Sequence, residues 1–291
     1  MKAARPAAMT CFFMLFAGLS LASVALGCWA AATSGAPSGV WTRNLLAWAI
    51  GALCAGALAR WTGRRTLLGV LLLAPAGLIA SLANTGQLGV HRWVDIGPLH
   101  MNAAEVVLPS AVVACAALAA GKDRLWLSAA IAMALLAVQP DASQASALGA
   151  AWLVIIALAP MGGAQRGAAA VFAVAAMAWS WLRADPLAPV ADVEGIMELA
   201  WRLSPLAGIA AWAVLIGAVS TPLIHSRSEA PALRAAAVAL ALYGLFSVLT
   251  TRVGAFPVPL VGMGMSSILG LWLGVGLLAA LPRAPRWAAS P

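Results

Sequence analysis

A chain of 291 residues that is 63% hydrophobic and only 9% charged lacks the charge that a water-soluble surface of this size requires, which excludes a soluble globular fold. Its formal net charge of +8 does not mark a nucleic-acid binder, because the basic residues sit in short turns between apolar runs, as they do in membrane proteins. Cys11, Cys28, Cys54 and Cys115 fall inside apolar runs without metal-ligand spacing and read as buried packing thiols.

Apolar runs able to cross a membrane lie near 8–32, 44–60, 66–84, 104–121, 125–139, 145–160, 167–182, 206–223, 233–250 and 266–282. The first, preceded by Lys2 and Arg5, is longer than a signal-peptide core and reads as a retained helix. The expected fold is therefore all-α, a polytopic membrane bundle of about ten helices. No polar stretch is long enough to fold by itself, so 1–291 reads as a single integral membrane domain.

Alternating the loops across the membrane sorts the basic residues. One side carries twelve: Lys2, Arg5, Arg60, Arg64, Arg65, Lys122, Arg124, Arg166, Arg227, Arg234, Arg283 and Arg286. The other carries five: Arg43, Arg92, Arg183, Arg202 and Arg252. The richer side is expected to be cytoplasmic, with both termini inside. Of the acids, Asp123 and Glu229 fall inside, whereas Asp95, Glu105, Asp141, Asp185, Asp192, Glu194 and Glu198 fall on or near the outer face. Two outer loops, near 85–103 and 183–205, are longer than connection requires, a mark of functional segments.

The outer segments hold the candidate chemistry. In Gly89-Val-His-Arg-Trp-Val-Asp-Ile-Gly97, Arg92 and Trp93 suit an anionic or sugar-like ligand. They equally suit an interfacial anchor with Arg92 paired to Asp95. Glu105 opens the next apolar run, either facing a cavity or favouring a helix N-terminus. Gln139-Pro140-Asp141 reads as a helix break followed by a cap. In 183–205, Asp192, Glu194 and Glu198 are candidate acid–base groups, with Arg183 and Arg202 as candidate phosphate partners. From Phe256 to Ser267, Pro257 and Pro259 prevent regular helix, Gly262 and Gly264 permit tight turns, and Ser266 and Ser267 can either cap the last helix or leave its amides exposed to an anion. The expectation is a re-entrant segment lining a cavity. Walker, HExxH and GxSxG motifs and a credible catalytic triad are absent.

Taken in order, these stretches resemble the SEDS family (shape, elongation, division and sporulation), which includes RodA and FtsW. Gly89, Arg92, Trp93 and Gly97 match its outer-loop pattern, and Glu105 matches the glutamate that follows. Leu108 stands where the family has a lysine. Gln139-Pro140-Asp141 matches its Q-P-D turn, and Pro257 to Ser267 is similar to its late proline–glycine–serine segment. The resemblance implies a glycosyltransferase that polymerises lipid II, the undecaprenyl-linked wall precursor, at the outer face of the bacterial inner membrane. It implies a role in division or elongation and a class B penicillin-binding protein as partner, besides membrane lipids. It makes Asp192 the catalytic aspartate. Arg92, Trp93, Glu105, Asp141, Arg183, Pro257, Pro259, Gly264, Ser266 and Ser267 become the substrate-binding candidates. It names no sure cofactor, a divalent cation being the one candidate. The loop that carries Asp192 is much shorter than the family's. A membrane scaffold with reduced catalysis is thus the alternative, and a transporter of lipid-linked precursor a weaker one.

Overall fold

The computed structural model describes residues 6–119, 127–183 and 185–283. Lys2, Arg5, Lys122, Asp123, Arg124 and Arg286, which enter the charge count above, lie outside the described residues. Ten helices coincide with the ten apolar runs: α1 (Pro6–Thr33), α2 (Ser38–Trp61), α3 (Arg64–Ala83), α4 (Ala103–Ala119), α5 (Leu127–Val138), α6 (Ala142–Leu158), α7 (Gly163–Leu182), α9 (Pro205–Ser220), α10 (Pro231–Thr250) and α11 (Met265–Ala280). A short extra helix, α8 (Ile196–Leu203), lies in the loop between α7 and α9.

Helices α1, α2, α3, α9 and α10 are long and apolar enough to cross a membrane by themselves, and α4, α5, α6 and α11 are shorter apolar helices. Their outward faces are apolar as well: Leu53, Leu72 and Leu206 are at least two-thirds exposed. A helix that is hydrophobic all round belongs in a lipid environment, where each helix satisfies its own backbone. The chain is a multi-pass helical membrane protein.

The interior is built by small residues that let backbones approach. Helix α11 packs between α2 and α4. A Cβ placed on Gly276 would stand 2.5 Å from the Ala55 Cα, and one on Gly270 would stand 1.9 Å from the Glu105 carbonyl oxygen. Larger side chains then fill the space left: Trp272 meets the rings of Phe13, Phe16 and Trp48 at 5.3, 4.8 and 5.5 Å. Cys28 and Cys115 are buried as expected, but Cys11 and Cys54 lie on exposed surface. An apolar run in lipid says nothing about which face of its helix is covered.

The fold is all-α as expected, and among the described residues its loops add one small hairpin. Strands β1 (Trp93–Ile96) and β2 (Leu99–Asn102) pair antiparallel, with Trp93 opposite Asn102, across a turn whose Gly97 takes φ 60°. Asp95 accepts from Asn84 and contacts His100 at 2.5 Å, and Trp93 stacks on the His100 ring at 5.2 Å. The Arg92–Asp95 pair therefore does not form. Side chains alternate along extended chain, so residues three apart point to opposite faces.

The segments 84–102, 139–141, 185–204 and 251–264 gather at one end of the bundle. Asn44 Nδ2 donates to the Gly262 carbonyl at 2.8 Å, Arg92 to the Pro140 carbonyl at 2.7 Å, and the Met263 N–H to the Asp192 carbonyl at 2.8 Å. These are the segments assigned above to the outer face. Reporter fusions after Arg65, Arg166 and Arg227 and at the C-terminus are expected to read cytoplasmic, and those near Gly97, Ser143, Pro189 and Gly254 periplasmic. A periplasmic signal after Arg227 would overturn this orientation.

Candidate functional site

The site grows from one buried cation. Arg92 precedes β1 and is only 5% exposed. Its Nη2 donates to the Pro140 carbonyl and to Asp185 Oδ2, both at 2.7 Å, and its Nε faces Asp141 Oδ2 at 3.6 Å. The Phe256 ring lies 5.8 Å from the guanidinium carbon. Burial works against the charge, but Asp141 and Asp185 outweigh it and hold the guanidinium above its ordinary value.

Each partner is placed by local chain chemistry. Pro140 ends α5, and Asp141 caps α6 by accepting from the Gln144 N–H at 3.1 Å. The cap thus serves twice, once for the helix and once for Arg92. Asn102 leads into α4 and accepts from the Glu105 N–H at 3.2 Å, which sets Glu105 in the first turn, where it is buried. Asp185 accepts from the Leu187 N–H at 3.1 Å, and Glu194 closes its own turn by accepting from the Val190 N–H at 2.8 Å. Burial pushes the Glu194 carboxyl above its usual range, partly opposed by the Val190 and Glu194 backbone N–H groups and by Arg92.

Arg92, Glu105, Asp141, Asp185 and Glu194 line one cavity of about 30 Å³, together with Trp93, Asn102 and Pro257. That space holds about two waters. Arg92 Nε and Asp141 Oδ2 are buried without a hydrogen-bond partner, so a donor and an acceptor stand ready for a hydroxyl. With carboxylates in the majority, the cavity suits proton acceptance from a hydroxyl better than the cradling of a phosphate. Among the described residues, no three His, Cys, Asp or Glu side chains stand close enough together to ligate a divalent cation. A second chamber, of about 10 Å³, joins Glu105 to Gln144, Tyr243, Ser247, Pro259 and Ser267, with Tyr243 donating to Gln144.

Of the expected site residues, Arg92, Trp93, Glu105, Asp141 and Pro257 meet at the first cavity, and Glu105, Pro259 and Ser267 at the second. Ser266 Oγ accepts from the Asn102 N–H at 2.9 Å, joining the last helix to the hairpin. Asp192 is half-buried and does not line the cavity; its carbonyl anchors Met263. Arg183 is exposed beyond α7, and Arg202 pairs with Glu198 at 3.0 Å, so neither joins Arg92. Asp185 was not singled out from the sequence, although its place before Pro186 fixes it at the start of the outer loop.

The 256–264 segment is irregular and largely buried, as its prolines require. Leu260 takes φ 63°, a left-handed conformation that costs a non-glycine residue about 1 kcal/mol and persists only where surroundings impose it. The tight glycine is not Gly264, which is extended at φ −160° with open space where a Cβ would stand. It is Gly262, where a Cβ would meet the Val193 and Val258 carbonyl oxygens at 2.7 and 2.9 Å. Gly262→Ala is expected to cost about 1–3 kcal/mol of stability, and Gly264→Ala almost nothing. Thermal unfolding of the two purified variants checks the order.

Fold and site together define a multi-pass helical membrane protein with a buried, carboxylate-rich polar site at one end of the bundle. No known family's sequence profile matches the chain, and neither does any curated protein. Solved structures do. The chain is similar to Thermus thermophilus rod shape determining protein RodA, with TM-score 0.65 and 18% identity over 92% of this chain and 95% of that one. An aspartate-to-alanine mutant of the same RodA gives TM-score 0.66, with 18% identity over 92% and 96%. A chain from a peptidoglycan synthase complex that coordinates polymerization and crosslinking gives TM-score 0.57, with 21% identity over 92% and 96%. The fold is that of RodA.

Proposed function

We propose that this chain is a SEDS-type peptidoglycan glycosyltransferase that polymerises lipid II at the outer face of a bacterial inner membrane. The observation that carries the reading is the placement of Arg92 between Asp141 and Asp185, with Glu105 and Glu194 on the same cavity, on the RodA fold. An acceptor sugar hydroxyl entering this cavity gives its proton to a carboxylate. Its oxygen bonds to the anomeric carbon of the donor sugar, and the bond from that carbon to the lipid pyrophosphate breaks. Glu194 is the carboxylate set to receive the proton, because it lines the cavity and burial raises its proton affinity. Asp192, the match to the family aspartate, acts with it by docking the loop on 256–264. A class B penicillin-binding protein is the expected partner, since a similar chain belongs to a complex that couples polymerization to crosslinking.

Purified protein incubated with fluorescent lipid II, alone and with a co-expressed class B penicillin-binding protein, is expected to yield glycan ladders on gels. A second reading, a scaffold with reduced catalysis, is favoured by the small cavity and by the failure of Arg183 and Arg202 to reach it. Stable complex formation without any polymer in either condition would establish the scaffold and refute the polymerase.

A further inference from the structure

A third, open cavity, of about 500 Å³, lies among α8, α9 and the chain just beyond α10, lined by Met197, Glu198, Trp201, Trp212 and Arg252. It shares none of its lining with the cavity around Arg92. Its elements belong to the loop-bearing end of the bundle, where a membrane protein meets lipid headgroups. Arg252 stands two residues past the end of α10, and Trp201 belongs to the loop helix α8. Trp201 is pressed against α9, since a Cβ on Gly208 would meet its ring at 2.8 Å.

The chemistry of the lining is selective. The Arg252 guanidinium carbon lies 5.5 Å from the centre of the Trp212 ring, and among the described residues it meets no carboxylate. A guanidinium held on an indole face keeps its forked donors free for a phosphate. The opposite charge is present as well. Glu198 lines the same cavity, and its pairing with Arg202 joins side chains that are 63% and 74% exposed. An ion pair so exposed is weak and yields readily to another cation. One cation, one carboxylate and two indoles around a space open to the surroundings complement a headgroup that carries both a phosphate and an ammonium.

We infer that this cavity binds the headgroup of a zwitterionic aminophospholipid, with the phosphate on Arg252 and the primary ammonium at Glu198. The site is independent of glycosyl transfer, and it places a lipid against α8, in the loop that also carries Asp192 and Glu194.

Native mass spectrometry of the delipidated full-length protein tests this, titrating dioleoyl phosphatidylethanolamine, phosphatidylglycerol and phosphatidylcholine. Wild type is expected to retain phosphatidylethanolamine about tenfold more tightly than the other two. Arg252→Ala should lose about tenfold for phosphatidylethanolamine, and Arg252→Lys should lose less. Glu198→Gln should reduce phosphatidylethanolamine to the level of phosphatidylglycerol. Trp212→Leu, with an unchanged lipid-free melting temperature, should weaken all three lipids and so separates binding from folding. Equal retention by wild type and Arg252→Ala would overturn the site, and equal retention of the three lipids by wild type would overturn its headgroup selectivity. Soluble phosphoethanolamine is expected to displace the lipid poorly. Full displacement at equimolar concentration would mean that the ligand is a free phosphate ester and would refute the lipid assignment.

Discussion

Arg92→Ala is expected to destabilise the loop-bearing end of the protein by about 3–5 kcal/mol, visible as a large fall in melting temperature and in detergent-solubilised yield. The magnitude follows from what the side chain leaves behind rather than from the contacts it makes. Asp141 is 2% exposed and Glu105 is 7% exposed, and among the described residues neither has another cation paired with it. Removing the guanidinium strands these carboxylates in a poorly solvated space and frees the Pro140 carbonyl, which accepts from Nη2. The same side chain ties the hairpin to the α5–α6 turn and to the loop after α7, so three segments lose a common anchor. Arg92→Lys keeps the charge but cannot reach Pro140, Asp141 and Asp185 together, and it should recover only part of the loss. Adding Asp141→Asn to Arg92→Ala removes one uncompensated charge and should return part of the stability. An Arg92→Ala protein that melts like wild type would show that the cluster is solvated and that the cavity is not the structural centre of this end.

The bundle was legible in the sequence because lipid imposes one rule on every span. Each must be apolar and must close its own hydrogen bonds, so the ten runs stand out whatever they pack against. The same rule hides which face is covered, which is why Cys11 and Cys54 were placed inside wrongly. The hairpin escaped notice because its strands are only four residues long: β2 alternates through Leu99, His100, Met101 and Asn102, but β1 runs Trp93, Val94, Asp95, Ile96 without alternation, too little pattern to announce a strand. Of the residues lining the cavity, Glu105 stood out by its cost, since a charge at the edge of an apolar run needs a reason, whereas Arg92 was equally readable as an anchor and Asp141 as a cap until the family resemblance made them candidates. Which partners they take was not found, because Arg92 meets Asp185 across 93 residues of chain, a contact fixed only by the packing of α7 beside α5 and α6. Gly264 and Gly262 were not separable from spacing alone. The difference lies in a neighbouring backbone, Val193, which no local pattern announces.

Glu194→Gln is expected to lower lipid II polymerisation by about 10²–10⁴-fold while leaving folding and partner binding unchanged. The amide keeps the shape and accepts the same Val190 N–H, but it cannot take a proton as the glycosidic bond forms. Asp192→Asn should cost less, because the Asp192 contribution to the loop runs through its carbonyl, which donates nothing and accepts from Met263 in either variant. The pH profile supplies a readout that a packing role would not move. Burial holds the Glu194 carboxyl above its ordinary range, and a general base acts in its deprotonated form. Activity should therefore rise with pH through that elevated value and level off above it, and the rise should vanish in the residual activity of Glu194→Gln. A profile with its rise intact in that variant would remove Glu194 from the mechanism. Loss of polymerisation in Asp192→Asn, with Glu194→Gln active, would assign the proton transfer to Asp192 and require its side chain to turn into the cavity when substrate binds.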